Sequence, residues 1–360
     1  MSERLRCGII GFEFGHQLAF AGALARNRPA EIVGVANLPG DGDGARQRAE
    51  NFAEQQVVPH FDAWQELLDA EVPEAVSVCA PPSRNPDIVA ELASRGVHVM
   101  SEKPVAADLD GVRRIAAAVH QAGIAFTFGF HAARFARPVQ RAISAVRGGE
   151  VGAVRVLNGM FLQTKGPRYT ISVEEARRRR AAGEPSVGEL ANFGGYLLLA
   201  FSAYAEARVT SVYAEMDAFL YESYRIAGIE DMALLSLQYD TGVVGTATLG
   251  RTTTKSLPAT DARHEIIGSG GVLHVDHALG DRVFVYGQFR DDDPYERGGF
   301  QTPTFSRPSH ELYVDDFVDA ALLGRQTALT VGNALELERT LQAAYHSARL
   351  HQPIDPRELM

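Results

Sequence analysis

Over the first 130 residues, short apolar runs alternate with amphipathic stretches, and this alternation limits the fold more than any other feature. The spacing predicts strands at Arg6–Gly11, Glu31–Ala36, Ala75–Ala80, Val97–Met100 and Ala125–Gly129. Between them it predicts helices at Leu18–Arg26, Ala45–Gln55, Trp64–Leu68, Asp87–Arg95 and Asp108–Ala122. Strands separated by helical crossovers pair in parallel, with helices on both faces of a doubly wound sheet. The reading is an α/β Rossmann domain over residues 1–130.

After Phe130 the pattern changes. A helix is expected at Ala136–Arg147, then strand-like runs at Val154–Gln163, Thr210–Met216, Met232–Tyr239, Val243–Leu249, His264–Ile267, Val272–His277 and Arg282–Tyr286. Asp240–Thr241–Gly242 and Gly268–Ser269–Gly270–Gly271 carry the residues of tight hairpin turns. Two helices follow, Glu311–Leu323 and Gly332–Leu350. Residues 131–360 are therefore expected to form an α+β domain around a large, mostly antiparallel open sheet. The basic run Arg177–Arg180 follows Glu174 and Glu175 and reads as a solvated helix face.

Charge and apolar patterning exclude several functions. The net charge is −10 and no basic stripe is present, so nucleic acid is a poor partner. No run approaches the ~18 apolar residues of a membrane span, and Cys7–Ile10 is too short for a signal-peptide core. The two cysteines, Cys7 and Cys79, each lie in a strand-like run and read as buried reduced thiols, consistent with a cytoplasmic protein.

The first strand ends in Gly8-Ile9-Ile10-Gly11-Phe12-Glu13-Phe14-Gly15-His16. A dinucleotide site needs a glycine at the strand's sharp turn, backbone close to the pyrophosphate and a helix N-terminus aimed at it. Gly11 meets the first need. Glu13 stands where a second glycine is usual, and Gly15 falls one residue early. The position of the motif, between the first strand and the first helix, makes Gly11, Phe12, Glu13, Phe14, Gly15 and His16 candidate cofactor residues. Asn37 ends the second strand where a ribose-binding carboxylate is usual. An amide still bonds a hydroxyl but does not repel a 2′-phosphate. Asp41 and Asp43 follow at once, whereas Arg46 and Arg48 lie further on, so the expected cofactor is NAD or NADP with the balance toward NAD.

Ser101-Glu102-Lys103-Pro104, right after the strand-like Gly96–Met100, resembles a segment of the glucose–fructose oxidoreductase/inositol dehydrogenase/MocA family. Val78-Cys79-Ala80-Pro81-Pro82 looks like that family's fourth strand and its end. Arg134-Phe135 with Pro138, Gly149-Glu150-Val151-Gly152, Ile267–Gly271, Asp316-Phe317-Val318 and Ala343–Ala348 resemble later segments in the family's order.

The resemblance implies that Lys103 sits beside the nicotinamide and reaches the reacting oxygen. An ammonium there stabilises a developing alkoxide and relays its proton. It also implies a cis bond before Pro104, Glu102 near the nicotinamide ribose, and Ala80 and Pro81 beside the cofactor. Asn85 replaces a histidine common in the family. In the second domain the family has an aspartate, a histidine four residues later and an aspartate three after that. Here those places hold Asn192, Tyr196 and Leu199. Some relatives carry tyrosine at the histidine position, so Tyr196 is the candidate acid/base, a phenol of pKa about 10 that a nearby lysine lowers. His131, Asn192, Lys165 and Arg168 are weaker candidates for substrate contact. No metal is expected.

The expected activity is reversible hydride transfer between NAD(P) and a secondary alcohol or ketone of a sugar, cyclitol or sugar-derived metabolite. A NAD-retaining enzyme that eliminates or rearranges a sugar substituent through transient oxidation is one alternative. A non-catalytic cofactor- or sugar-binding regulator is another. The implied partners are a small-molecule substrate and further copies of the chain, as a homodimer or homotetramer joined through the second-domain sheet.

Overall fold

The computed structural model describes residues 4–13, 16–165, 170–184, 186–253, 255–276, 282–287, 300–301 and 307–359. The chain divides into two compact units, 1–131 with 307–338 and 132–306 with 339–360.

The first unit begins with β1 (Leu5–Ile10), α1 (His16–Arg26), β2 (Ala30–Ala36), α2 (Asp43–Gln56), β3 (His60–Phe61), α3 (Trp64–Glu71) and β4 (Ala75–Val78). It continues with α4 (Asn85–Ser94), β5 (His98–Ser101), α5 (Leu109–Ala122) and β6 (Phe126–Phe128). The six strands pair in the order β3-β2-β1-β4-β5-β6, all parallel. Order reverses between β1 and β4, the place where doubly wound sheets open a crevice for a ligand. Every residue of β4 is buried, as are all of β1 but Arg6. This is why these strands read as unbroken apolar runs: helices cover both faces. The Asp108 side chain caps α5 by accepting from the Gly111 N–H at 2.8 Å.

The second unit comprises α6 (Ala132–Phe135), α7 (Arg137–Arg147), β7 (Val154–Lys165), α8 (Val173–Ala182), α9 (Glu189–Ala205), β8 (Val209–Asp217) and α10 (Glu222–Ala227). β9 (Met232–Tyr239), β10 (Val244–Arg251), β11 (Lys255–Gly268), β12 (Gly271–Asp276), β13 (Arg282–Gly287) and β14 (Phe300–Gln301) complete its sheet. The strands pair in the order β14-β13-β12-β11-β7-β10-β9-β8, and only the β7–β10 pair is parallel. Strand β9 alternates buried and exposed residues along most of its length, so one sheet face is covered and the other open. Both expected hairpin turns form: Tyr239 and Val243 close the β9–β10 turn, and Ser269–Gly270 joins β11 to β12.

Helix α9 had no assigned element in the sequence, because it is apolar almost all round and carries Gly194 and Gly195 at its middle. Gly194 serves packing: a Cβ there would lie 3.3 Å from Leu341.

The last two helices, α11 (Ser309–Leu323) and α12 (Val331–Leu350), correct the expected domain division. Residues 307–338 group with the first unit instead of the second. Phe20 of α1 packs on Tyr313 of α11 with ring centroids 5.1 Å apart. Arg26 pairs with Glu311 at 2.9 Å, and Asn27 bonds Asp315 at 2.8 Å. The Thr327 hydroxyl donates to the Phe126 carbonyl at 2.6 Å. The apolar side of α1 needs a cover, and the chain returns to supply it. No helix among the described residues is long and apolar enough to cross a membrane.

Candidate functional site

In the first unit the site is built where β1, β2 and β4 end together. Gly11 has φ +75, and its N–H donates to the Ala36 carbonyl at 2.9 Å. A Cβ here would lie 2.4 Å from the Cys79 carbonyl oxygen and 2.6 Å from Leu38. Only glycine satisfies both the left-handed backbone and the close approach. The Phe12 side chain is fully buried against Phe52, 5.7 Å between centroids, which leaves its backbone to face a ligand. Arg48 holds the loop by donating to the Phe12 carbonyl at 2.7 Å and the Glu13 carbonyl at 3.3 Å. The Glu13 side chain is exposed. Phe14 and Gly15 lie outside the described residues.

Asn37 is fully buried, and neither its Oδ1 nor its Nδ2 has a partner among the described residues. An unpaired buried amide costs about 1–3 kcal/mol, so the position is made for a polar group the chain does not supply. A ribose hydroxyl fits it, and with the Gly11 turn the residues present suit a dinucleotide. The next turn is fixed by Asp41, whose carboxylate accepts from the Leu38 N–H at 2.8 Å. Arg84 closes the same turn from the β4 side by donating to the Pro39 carbonyl.

Lys103 follows β5, and the bond to Pro104 is cis. The segment is pinned on three sides. Glu102 is almost wholly buried, and its Oε2 accepts from the Lys103 N–H at 2.8 Å. Its Oε1 lies 2.6 Å from His16 Nδ1, which ties the head of α1 to the lysine segment. A Cβ on Gly129 would lie 2.1 Å from the Glu102 carboxylate, so glycine there makes the room. Two further supports hold the site; sequence reasoning named Asn85 only as the replacement of a family histidine and missed Gln17. Buried Asn85 donates to the Ser101 hydroxyl at 2.8 Å and the Val105 carbonyl at 2.7 Å, bracketing the segment from both sides. Buried Gln17 donates to the Ser77 carbonyl at 3.1 Å and accepts from the Ser77 hydroxyl at 2.9 Å, locking α1 to β4. For Gln17 the available signal was a polar residue at the head of an apolar run.

Ala80 is buried just past β4 and Pro81 is half-buried; the Pro81 carbonyl accepts from the Arg84 and Asn85 N–H groups at the head of α4. His131 is packed among rings of the first unit: Phe20 at 5.6 Å, Tyr313 at 6.1 Å, His16 at 6.2 Å and His310 at 6.5 Å. Burial pushes its pKa down to about 4, so the imidazole is neutral at pH 7.

In the second unit, α9 presents Glu189, Asn192, Phe193 and Tyr196 at helical spacing along one face. Tyr196 is 8% exposed and stacks on Phe161 of β7 at 5.1 Å with planes 10° apart. Phe193 stacks on the same ring at 6.0 Å. Asn192 is half-buried one turn before Tyr196. Leu199 is buried, and its carbonyl accepts from Arg134. Lys165 ends β7 and its side chain lies outside the described residues, as does Arg168. Lys103 thus belongs to the first unit and Tyr196 to the second.

A parallel six-stranded sheet with its glycine turn, joined to a pinned Glu-Lys-Pro segment, defines an oxidoreductase with an NAD(P)-binding Rossmann domain. The family model described as an oxidoreductase family with an NAD-binding Rossmann fold matches residues 5–130. The model of the GFO/IDH/MocA C-terminal domain matches residues 139–274. The chain belongs to the Gfo/Idh/MocA family of oxidoreductases. It is 25% identical to the myo-inositol 2-dehydrogenase of Thermotoga maritima over 258 residues, 70% of this chain and 69% of that protein. Its fold is similar to that of the myo-inositol 2-dehydrogenase from Lactobacillus plantarum, with TM-score 0.78, 20% identity and coverage of 98% and 99% of the two chains. It is equally similar to an Agrobacterium radiobacter oxidoreductase solved with NAD+, L-tartaric acid and magnesium, with TM-score 0.79, 18% identity and coverage of 99% and 100%.

Proposed function

We propose that the protein transfers a hydride between NAD and a secondary alcohol or ketone of a sugar, a cyclitol or a metabolite derived from one. The observation that carries this reading is the pinned Glu102-Lys103-Pro104 segment, tied through His16 to the helix that follows the glycine turn. A lysine held that firmly at a dinucleotide site is suited to chemistry on a bound alcohol. The myo-inositol dehydrogenases among the relatives support a polyhydroxylated substrate.

The nicotinamide supplies the hydride acceptor or donor. Lys103 holds the reacting oxygen as negative charge develops on it. Tyr196 takes or returns the hydroxyl proton, and the stack on Phe161 fixes the direction of its ring. Asn37 receives the adenosine ribose. Asp41, held beside it by the Leu38 N–H, places a carboxylate where a 2′-phosphate is unwelcome, which favours NAD over NADP. The open face of the second-unit sheet, with Leu234, Val244 and Tyr286 exposed, suits association with a second copy. Both cysteines are buried and unpaired with each other, which suits a reducing, cytoplasmic setting.

The test is absorbance of the reduced nicotinamide when purified protein meets NAD+ or NADP+ and a polyol panel. Turnover with NAD+ and at least one polyol is expected. A folded protein that binds nucleotide and reduces none of it with any alcohol contradicts the reading.

A further inference from the structure

The second unit contains a buried polar cluster that hydride transfer does not use. Glu189 opens α9 and is 2% exposed; Arg251 ends β10 and Gln163 lies beside it in the β7–β10 ladder, each 5% exposed. Arg251 Nε donates to Glu189 Oε1 at 2.8 Å, and the Tyr224 hydroxyl donates to the same oxygen. The Arg251 guanidinium also lies over the Phe193 ring, 5.6 Å from its centroid. Three atoms are left over. Glu189 Oε2, Arg251 Nη1 and Gln163 Oε1 are buried with no hydrogen-bond partner among the described residues. Native interiors pair almost all such atoms, and groups on a buried ion pair are the costliest to leave bare.

We propose that this cluster is a hydroxyl-recognition subsite that takes a vicinal diol of a neutral polyol. The atoms left bare are one donor, Arg251 Nη1, and two acceptors, Glu189 Oε2 and Gln163 Oε1. A hydroxyl both donates and accepts, so two on neighbouring carbons satisfy the set. A carboxylate ligand has no proton for Glu189, and an ammonium has no lone pair for Arg251. The charges of the pair cancel, so it selects by hydrogen bonding and not by net charge. Glu230 stands at the same helix head, its carboxylate accepting from the Leu190 N–H at 2.9 Å, and its negative charge further disfavours an anionic ligand. The subsite shares its helix face with Asn192 and Tyr196, one and two turns further on. The inference deepens the reading above, on which the identity of the reacting alcohol rests; the diol contact itself rests on this cluster alone.

The experiment measures binding of myo-inositol, D-glucose, D-gluconate and cyclohexanol to the NAD+-loaded protein by calorimetry and saturation-transfer NMR. Wild type, Glu189→Gln and Arg251→Lys are compared, with NAD+ affinity and thermal midpoint measured on each. A Glu189→Leu/Arg251→Met double variant removes both charges at once, so that folding survives if a single change does not. Wild type is expected to bind myo-inositol or D-glucose and not cyclohexanol. Glu189→Gln and the double variant are expected to weaken polyol binding at least about tenfold with NAD+ affinity unchanged. Variants that bind polyol as wild type does, or a wild type that binds none of the neutral polyols, overturn the subsite. Reduction of NAD+ by wild type with simple secondary alcohols is followed in parallel. Turnover without polyol affinity leaves hydride transfer standing and removes the subsite. Polyol binding that depends on Glu189, without turnover, does the reverse.

Discussion

The end of the first sheet and the first turns of α9 solve the same problem, holding polar groups in place, by different means. At the sheet end close backbone approaches and buried side chains bonded to backbone do the work. Gly11 is forced by a carbonyl 2.4 Å from where its Cβ would stand, Gly129 makes room for Glu102, and buried Asn85 brackets Lys103 through Ser101 and Val105. On α9 the side chains do it. Tyr196 leans on Phe161, Phe161 on Phe193, and Arg251 lies over Phe193 while pairing with Glu189. A site made of backbone tolerates few residues at each position. A site made of stacked side chains can change its residues while the helix stays put.

The sharpest way to break the contrast is to remove the reacting groups and leave the scaffold. Lys103→Ala and Tyr196→Phe are each expected to lower kcat by roughly 10²–10⁴-fold, the usual worth of a positioned acid or base. Tyr196→Phe keeps the stack on Phe161, so its NAD+ affinity and thermal midpoint are expected to match wild type. Loss of nucleotide binding in that variant would show that the two halves are not separable.

Acid tests the first unit alone. His131 has a pKa of about 4 in the folded protein and about 6.5 unfolded. The unfolded chain therefore binds the proton first as pH falls. The sign is loss of stability between about pH 6.5 and 4, amounting to about 3 kcal/mol, with nothing further from this group below the folded value. Urea titrations across that range should show the decline, and His131→Phe should flatten it. A decline of equal size in the variant assigns the effect to other groups.

Gly11→Ala is expected to cost about 2 kcal/mol from the left-handed backbone alone, with the Cys79 clash added, and to abolish tight NAD+ binding. Chemical denaturation and nucleotide titration read both. The mildest change is Asp41→Asn. Removing one partly exposed charge is worth on the order of 1 kcal/mol, so it should narrow the proposed preference for NAD over NADP by roughly fivefold. An unchanged ratio of dissociation constants would place discrimination elsewhere.

The same contrast explains what the sequence made legible. Strands buried on both faces leave unbroken apolar runs, so five of the six strands of the first sheet were readable, as was the glycine turn; the two-residue edge strand β3, His60–Phe61, is too short and only half-buried to leave such a run. The Glu-Lys-Pro segment was readable because its residues are unusual together. Helix α9 was not, since a helix buried all round shows no period and its mid-helix glycines suggest a break. The return of residues 307–338 to the first unit left no local mark, because covering α1 is a long-range contact between Phe20 and Tyr313. Asn85, Gln17 and the Glu189–Arg251 pair are polar residues whose partners lie far away in sequence. The burial of the Phe12 side chain against Phe52 left no mark in the loop sequence either. In each case the missing information was which distant residue stands opposite.

A double-mutant cycle on polyol oxidation reaches the centre of the account. kcat/KM with NAD+ is measured for wild type, Lys103→Met, Tyr196→Phe and the double variant. If ammonium and phenol serve one reacting oxygen, the double variant falls little below the worse single one, because the first loss already disables the unit. Losses that simply multiply, or single variants as active as wild type, would contradict a shared reaction centre.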